Sequence, residues 1–463
     1  MCDGKKSKTL NKYLWIFGAI IPSCGVMHLP RPQSECKVHT PDVWQAVKSA
    51  EQREISQGWL KDFHDQQASA LAREALEANQ DLQAAAAQLR VSRELTLQAR
   101  AELLPRLRAA GSGGLNDSDS SFSRNYGLTL GASWEPDLWG RLRDLNRAVA
   151  GDFDAAVAEY RGAQLSLVAA TVKSYCNVIS AQQQCVLAVT TRDSFEKNLR
   201  IIERNYKSGV PNVRALDVQL GRSNVSQAQR TVKARELERD DAIRSLEVLL
   251  GRYPATAIKP GADLPRVTQR VLTGWPASLV ERRPDLQAAR ARLQASAYRA
   301  SAARKNLLPN FSLLGNASVS GARLSRLLDP VELVSTVTAN FTQALYAGGA
   351  LESQVREAVD RNQALIHEYA QRALVAFREV ESSMAAEESL QQQEIFLQKE
   401  VEQAALAERQ AERDYSEGID GVDILSVLES QRRANNARSA LIRLQNERLQ
   451  NRVDLYLALG GSE

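Results

Sequence analysis

Residues 125–135 alternate in polarity, and the residues after them read as one long helix. Tyr126, Leu128, Leu130, Ala132 and Trp134 are apolar, whereas Asn125, Gly127, Thr129, Gly131, Ser133 and Glu135 are small or polar. A period of two means a strand with one apolar face and one wet face. The stretch Glu135-Pro136-Asp137-Leu138-Trp139-Gly140-Arg141 ends it, because Pro136 and Gly140 sit where a strand stops and a helix starts. From Arg141 to Tyr206 there is no proline and almost no glycine. That predicts a single helix of roughly 65 residues, about 100 Å at ~1.5 Å per residue. A strand of membrane type feeding directly into a helix as long as a cell-envelope gap leaves few folds open.

The rest of the chain repeats this unit. Residues 66–250 read as a first repeat: a helix over Gln66–Glu102, a β-hairpin over 105–135, the long helix over 141–206 and a helix over 213–250. Val218, Val225 and Val232 recur every seven residues on the last of these, as in coiled-coil packing. Residues 251–275 are rich in Pro and Gly and read as a connecting, equatorial segment. Residues 276–459 then read as a second repeat: a helix from Pro276 to Asn306, a hairpin over 309–345, a long helix over 350–415 and a helix over 422–459. Three landmarks keep register. Leu103-Leu104-Pro105 recurs as Leu307-Leu308-Pro309, 204 residues on, while Gly140 recurs as Gly349 and Tyr206-x-x-Gly209 as Tyr415-x-x-Gly418, each 209 residues on. This is an internal duplication.

The geometry constrains the assembly. In each half the two shorter helices, end to end, match the long one in height. Four amphipathic strands cannot close a barrel, which needs about eight, and open strand edges are not tolerated in lipid. Strands from several copies must therefore share one barrel. The fold class expected is mainly α with a membrane β-barrel, internally duplicated, the barrel continued by a long helical barrel.

Composition agrees and excludes alternatives. The 463 residues are 44% apolar and 25% charged, with a net charge of +4, which argues against nucleic-acid binding. No run reaches the length of a transmembrane helix, so insertion must use strands. At the N-terminus, Lys5, Lys6, Lys8 and Lys12 precede a short apolar run from Tyr13 to Ile21 and then Pro22-Ser23-Cys24. Residues 1–23 read as a lipoprotein signal peptide with lipid on Cys24, and residues 24–65 as an extended segment lying on the body of the protein. Cys176 and Cys185 are separated on one predicted helix by about 13.5 Å of rise, too far for a mutual disulfide, and read as packing residues. His28, His39, His64 and His367 form no metal-ligand spacing. No phosphate loop, nucleophile elbow or His-Glu-x-x-His is present, so neither enzyme activity nor a cofactor or metal is expected. Glu135 and Asp137 read as a local ion pair or helix cap beside Arg141, and Arg282-Arg283 as a helix-start cluster pairing with its neighbours.

At these residues the sequence resembles the TolC/OprM-type outer-membrane efflux proteins, in the lipoprotein (NodT-like) subgroup. The resemblance is carried by Trp134-Glu-Pro-Asp-Leu-Trp-Gly140-Arg141, by Glu281-Arg282-Arg283-Pro284-Asp285 with Leu307-Leu308-Pro309, by Leu345-Tyr346-Ala347-Gly348-Gly349, and by Arg452-Val453-Asp454-Leu455-Tyr456-Leu457-Ala458-Leu459-Gly460. It implies a homotrimer whose twelve strands form one outer-membrane barrel and whose helices form a periplasmic tunnel. It also implies two partners, a periplasmic adaptor (membrane fusion) protein and an inner-membrane transporter of RND type, with the chain as passive exit duct. Adaptor-docking tips then fall at Tyr206, Gly209 and Val210 and at Tyr415, Gly418 and Ile419. Gate carboxylates fall at Asp420 and Asp423, with Asp217 a further candidate. A carboxylate ring at a constriction favours cations, although Asp in a first turn is also a common cap. Trp134 and Trp139 fit the aromatic girdle at the periplasmic membrane interface. Pro211 and the length of the turn at Gly418–Asp423 depart from the family pattern. The alternative from another class is a non-conducting coiled-coil scaffold or adaptor, which has no need of two-faced strands.

Overall fold

A computed structural model describes residues 44–45, 59–118, 121–210, 213–265, 276–325, 333–417 and 423–461. In chain order the elements are a 3₁₀ helix (Trp59–Phe63), α1 (Gln66–Ala78), α2 (Gln80–Ala101), β1 (Arg106–Ser118), β2 (Ser121–Trp134), α3 (Arg141–Lys207), α4 (Ala215–Leu249), α5 (Pro276–Arg282), α6 (Pro284–Lys305), β3 (Asn310–Gly321), β4 (Val334–Thr342), α7 (Ala350–Glu417) and α8 (Ile424–Ala458). They fall into two compact units. One holds the strands and the helix segments that flank them, over 91–155 and 289–370; the other is helical, over 38–90, 156–288 and 371–463. None of the described helices is long and apolar enough to cross a membrane.

The strands form one antiparallel sheet in the order β1-β2-β3-β4. Its central pairing, β2 with β3, joins the two halves of the duplication, a contact that reading each hairpin alone does not reveal. Register aligns the faces across all four strands. Leu107 lies opposite Ala132, Ala109 opposite Leu130 and Gly111 opposite Leu128. Leu128 lies opposite Val319 and Trp134 opposite Leu313, and Phe311 lies opposite Phe341 and Leu313 opposite Ala339. The alternate positions are Ser, Thr, Asn and Gly with few exceptions, Leu314 among them. Much of the apolar face is bare: Leu107, Leu128, Leu130, Val337 and Phe341 are exposed, while Val319 on β3 is buried. β1 and β4 are the outer strands, each with one edge unpaired among the described residues. Next to the sheet, Ala300, Val355 and Val359 are buried together, with Ala303, Leu307 and Ala358 against them.

The helical unit is built around several apolar clusters. One packs Leu71 and Ala75 of α1 with Tyr175 and Ile179 of α3 and Leu246 of α4. Another sets Trp59 and Phe63 on Tyr456 of α8, with Trp59 and Tyr456 stacked at 5.4 Å between ring centroids. Cys176 and Cys185 are free thiols, both buried. Burial, with the nearby Asp65 charge, pushes the Cys176 thiol up to about 12.

Three expectations need correction. The helix expected over 66–102 is two helices, because Asn79 interrupts it. Its side-chain oxygen accepts the Leu82 N–H (2.9 Å) and its amide donates to the Leu249 carbonyl (2.9 Å), so an amide buried for packing takes the place of a helical turn. The segment expected to be extended to residue 65 instead turns as a 3₁₀ helix at Trp59–Phe63. Two rings four residues apart meet edge to face at 5.8 Å, whereas an extended chain would set them about 13 Å apart at ~3.3 Å per residue. The helix expected from Pro276 to Asn306 breaks at Arg283, because Pro284 lacks an N–H and crowds the preceding turn. Arg283 spans the break. Its guanidinium donates to Asp285 (2.9 Å), Glu379 (2.7 Å) and the Ala458 carbonyl (3.2 Å).

The start of the equatorial segment is also fastened. Glu247, buried in the last turns of α4, accepts the N–H groups of Thr256 (2.8 Å), Ala257 (2.6 Å) and Ile258 (3.3 Å). Burial pushes its carboxyl up, but these backbone donors together outweigh that and hold it below the usual range. Arg252 pairs with Glu74 at 2.7 Å.

Candidate functional site

The places where function can reside are the sheet faces, the corners joining strand to helix, and the helix turns. At the first corner Asp137 does two jobs. Its oxygens accept the N–H groups of Leu142 (3.1 Å) and Arg143 (2.9 Å), capping α3, and one also accepts from the Arg143 guanidinium (3.2 Å). Burial raises its pKa, and the Arg143 and Leu142 donors more than offset this, so the carboxyl lies below the usual range. Glu135 pairs with Arg141 at 2.7 Å. Gly140, at φ +76°, makes the turn that a side chain would strain. Behind it the buried Asp144 receives Lys305 Nζ and Ser301 Oγ, each at 2.6 Å, tying α3 to α6.

Trp134 donates its indole N–H to the Leu103 carbonyl (3.0 Å) and Trp139 to the Pro309 carbonyl (2.6 Å), and both rings are exposed. An indole whose polar edge is satisfied inward and whose ring faces outward suits a membrane interface. The duplication repeats the first of these bonds with a different side chain: Gln343, 209 residues after Trp134, donates to the carbonyl of Leu307, the counterpart of Leu103 (3.0 Å). The second corner otherwise shares little. Gly348 and Gly349 take φ +61° and +81°, and Leu345 and Tyr346 are 73% and 91% exposed.

At the helix turns, α3 closes with Gly209 at φ +65°, the Val210 N–H reaching back to the Asn205 carbonyl (3.1 Å), a glycine C-cap of the Schellman kind. Tyr206 and Val210 are exposed there. Tyr415 is half-buried against Ile202, Val218, Ile424 and Val427, which brings the end of α7 onto the starts of α4 and α8. Burial, and then the charge of Asp217, raise its phenol pKa. Asp217 is 4% exposed and accepts the Arg214 N–H (2.8 Å) in a capping box. Asp423 is the exposed N-cap of α8 and accepts the Ser426 N–H (2.9 Å) and hydroxyl (2.8 Å). Those two donors hold its carboxyl below the usual range, so it is charged at neutral pH. Cys24, Gly418, Ile419 and Asp420 lie outside the described residues. No group of metal-binding side chains is found among the described residues.

A two-faced sheet with much of its apolar face exposed, joined to long helices, is the pattern of a protein that inserts strands into a membrane. The family model described as outer membrane efflux protein matches residues 71–252 and 275–461. The chain is 31% identical over 432 residues to the toluene efflux pump outer membrane protein TtgC of Pseudomonas putida, covering 90% of this chain and 87% of that one. It is 28% identical over 410 residues to the cation efflux system protein CusC of Escherichia coli O6:H1, covering 87% and 88%. Its fold superposes on the solved outer-membrane channel OprN with a TM-score of 0.84 at 26% identity, covering 94% and 99% of the two chains. The chain belongs to the outer membrane efflux protein family, and acts as the outer-membrane channel of an efflux system.

Proposed function

We propose that three copies of this chain share one twelve-stranded barrel and one periplasmic helical tunnel, and that the trimer is the passive exit duct of a tripartite pump. The observation that carries this reading is the sheet: four strands, an apolar face largely bare of cover, and, among the described residues, an unpaired edge at β1 and at β4. The unpaired edges are not acceptable in lipid until neighbouring copies pair β4 with β1, and the apolar face is not acceptable in water until it turns outward into the bilayer. The tips around Tyr206, Gly209, Val210, Tyr415, Gly418 and Ile419 then serve an adaptor protein, and an inner-membrane transporter of RND type supplies the driving force. Cys24 carries lipid that adds an anchor. Asp423 and Asp420 line the periplasmic gate as a carboxylate ring, and the buried Asp217 holds the turn behind them.

The test uses two adjacent residues of β4. Val337 is on the apolar face and Thr338 on the wet one. In intact outer membranes, a membrane-impermeant thiol reagent is expected to label Thr338→Cys and to spare Val337→Cys. Equal labelling of both would point to a scaffold in water and end the channel reading. For the gate, Asp423→Ala with Asp420→Ala is expected to raise single-channel conductance in planar bilayers and weaken cation preference; unchanged recordings would remove those two residues from the gate.

A further inference from the structure

In the described strands, the wet face of the sheet carries charge at two positions. Register places Arg106 and Arg108 of β1 on that face, opposite Ser133 and Gly131. Followed across the sheet, Arg108, Gly131, Asn316 and Thr336 lie in one row, and Arg106, Ser133, Leu314 and Thr338 in the next. No carboxylate occupies either row or any other wet-face position of the described strands. Arg106 is exposed and ion-pairs with Glu102, just beyond α2. Arg108 is exposed and has no hydrogen-bond or ion-pair partner among the described residues. The glycine opposite it offers no side chain to cover the guanidinium.

The duplication supplies an internal control. Pro105-Arg106-Leu107-Arg108 corresponds to Pro309-Asn310-Phe311-Ser312. The apolar position is kept and both charges are absent, yet β3 starts and pairs as β1 does. The fold therefore does not require guanidinium groups at the start of such a strand. On the barrel reading above, on which this rests, the wet face is the wall of the lumen. Three-fold repetition then sets three uncompensated Arg108 charges around it, with three partly neutralised Arg106 charges one row away.

We infer that Arg108, assisted by Arg106, forms a basic ring at that level of the barrel, which locally favours anionic groups, such as carboxylate, sulfonate or phosphate, over cationic ones, separately from the cation preference of the carboxylates at the helix turns. A Debye length of about 10 Å at 0.1 M salt lets such a ring act on solutes near the lumen wall, and rings of Arg or Lys are the usual means of anion preference in pores.

The experiment reads the local potential from a cysteine in the same row. Full-length protein in outer-membrane vesicles carries Thr336→Cys, with and without Arg108→Ser, the residue that the second half has at Ser312. Modification rates at that cysteine are measured with an anionic sulfonate methanethiosulfonate and with a cationic trimethylammonium one, against the parent without Thr336→Cys. The anion-to-cation rate ratio is expected to fall about fivefold with Arg108→Ser and about twofold with Arg106→Asn, as loss of nearby fixed charge dictates. Arg108→Gln, which keeps length and polarity, is expected to match Arg108→Ser. An unchanged ratio at a cysteine that still reacts would overturn the inference and leave the barrel standing, as would a fall with serine but not glutamine. A Thr336→Cys that neither reagent reaches in the membrane, but both reach after unfolding, would remove the water-filled barrel and the inference together.

Discussion

At the first strand-to-helix corner Asp137 takes two backbone N–H groups and a guanidinium; 209 residues later the same position is Tyr346, a ring 91% exposed to its surroundings. Glu135 and Arg141 pair beside the first corner, and their counterparts are Ala344 and Ala350. Common to both corners are a left-handed glycine before the long helix, Gly140 or Gly349, and a side chain from the strand end bonded to a Leu-Leu-Pro carbonyl. The duplication has thus kept the backbone solution and let the fastenings diverge. The first corner is held by side chains. The second relies on two consecutive glycines and leaves Leu345 and Tyr346 bare for whatever lies outside the chain.

The largest losses are expected at the glycines that both corners share. Valine at Gly140 or at Gly349 would force a β-branched residue into the left-handed region, and each should destabilise by about 2 kcal/mol, read as a fall in the melting temperature of the detergent-extracted protein. A large loss at one glycine only would mean that the corners do not share a backbone solution. Next comes the fastening. Asp137→Ala should cost about 1–2 kcal/mol, as loss of a helix cap does, whereas Tyr346→Ala should lie within about 0.5 kcal/mol. Equal losses would contradict the asymmetry.

Acid should erase that difference. The Asp137 carboxyl lies below its ordinary value in the folded protein, so its contribution is full above the unfolded pKa of about 3.9 and is lost as pH falls through the lower folded value. The gap in melting temperature between the parent and Asp137→Ala should hold from pH 7 to about 5 and close below about 4. A gap that widened in acid would mean that the aspartate is protonated in the cap. The smallest effect concerns the shared carbonyl bonds. Trp134→Phe and Gln343→Met each remove a donor and should each cost about 0.5–1 kcal/mol; a cost in one half alone would show that the two bonds are not equivalent.

Much of this was legible because it rests on periodicity and on glycine and proline. The alternation at Tyr126–Trp134 sets the faces of β2, and the recurrence of Leu-Leu-Pro and Tyr-x-x-Gly exposes the duplication. The features that escaped depend on partners distant in sequence. Asn79 looks like any polar helix residue until Leu249 is placed beside it. Glu247 belongs to a charged helix face until the chain folds back to offer three N–H groups. The β2–β3 pairing brings together strands nearly two hundred residues apart, and hairpin signals are local. At the tips, Asp217 and Asp423 look alike in sequence, but only Asp423 is exposed: it is the N-cap of α8, whereas Asp217 lies inside the first turn of α4, beside Val218 of the Tyr415 cluster.

On the proposal above, one chain makes four strands of a barrel that only further copies can close. Light scattering on the full-length protein extracted from outer membranes, with bound detergent subtracted, tests it most directly. A protein mass of three chains is expected. A monomer of the same fold, or release into the soluble fraction without detergent, would contradict it.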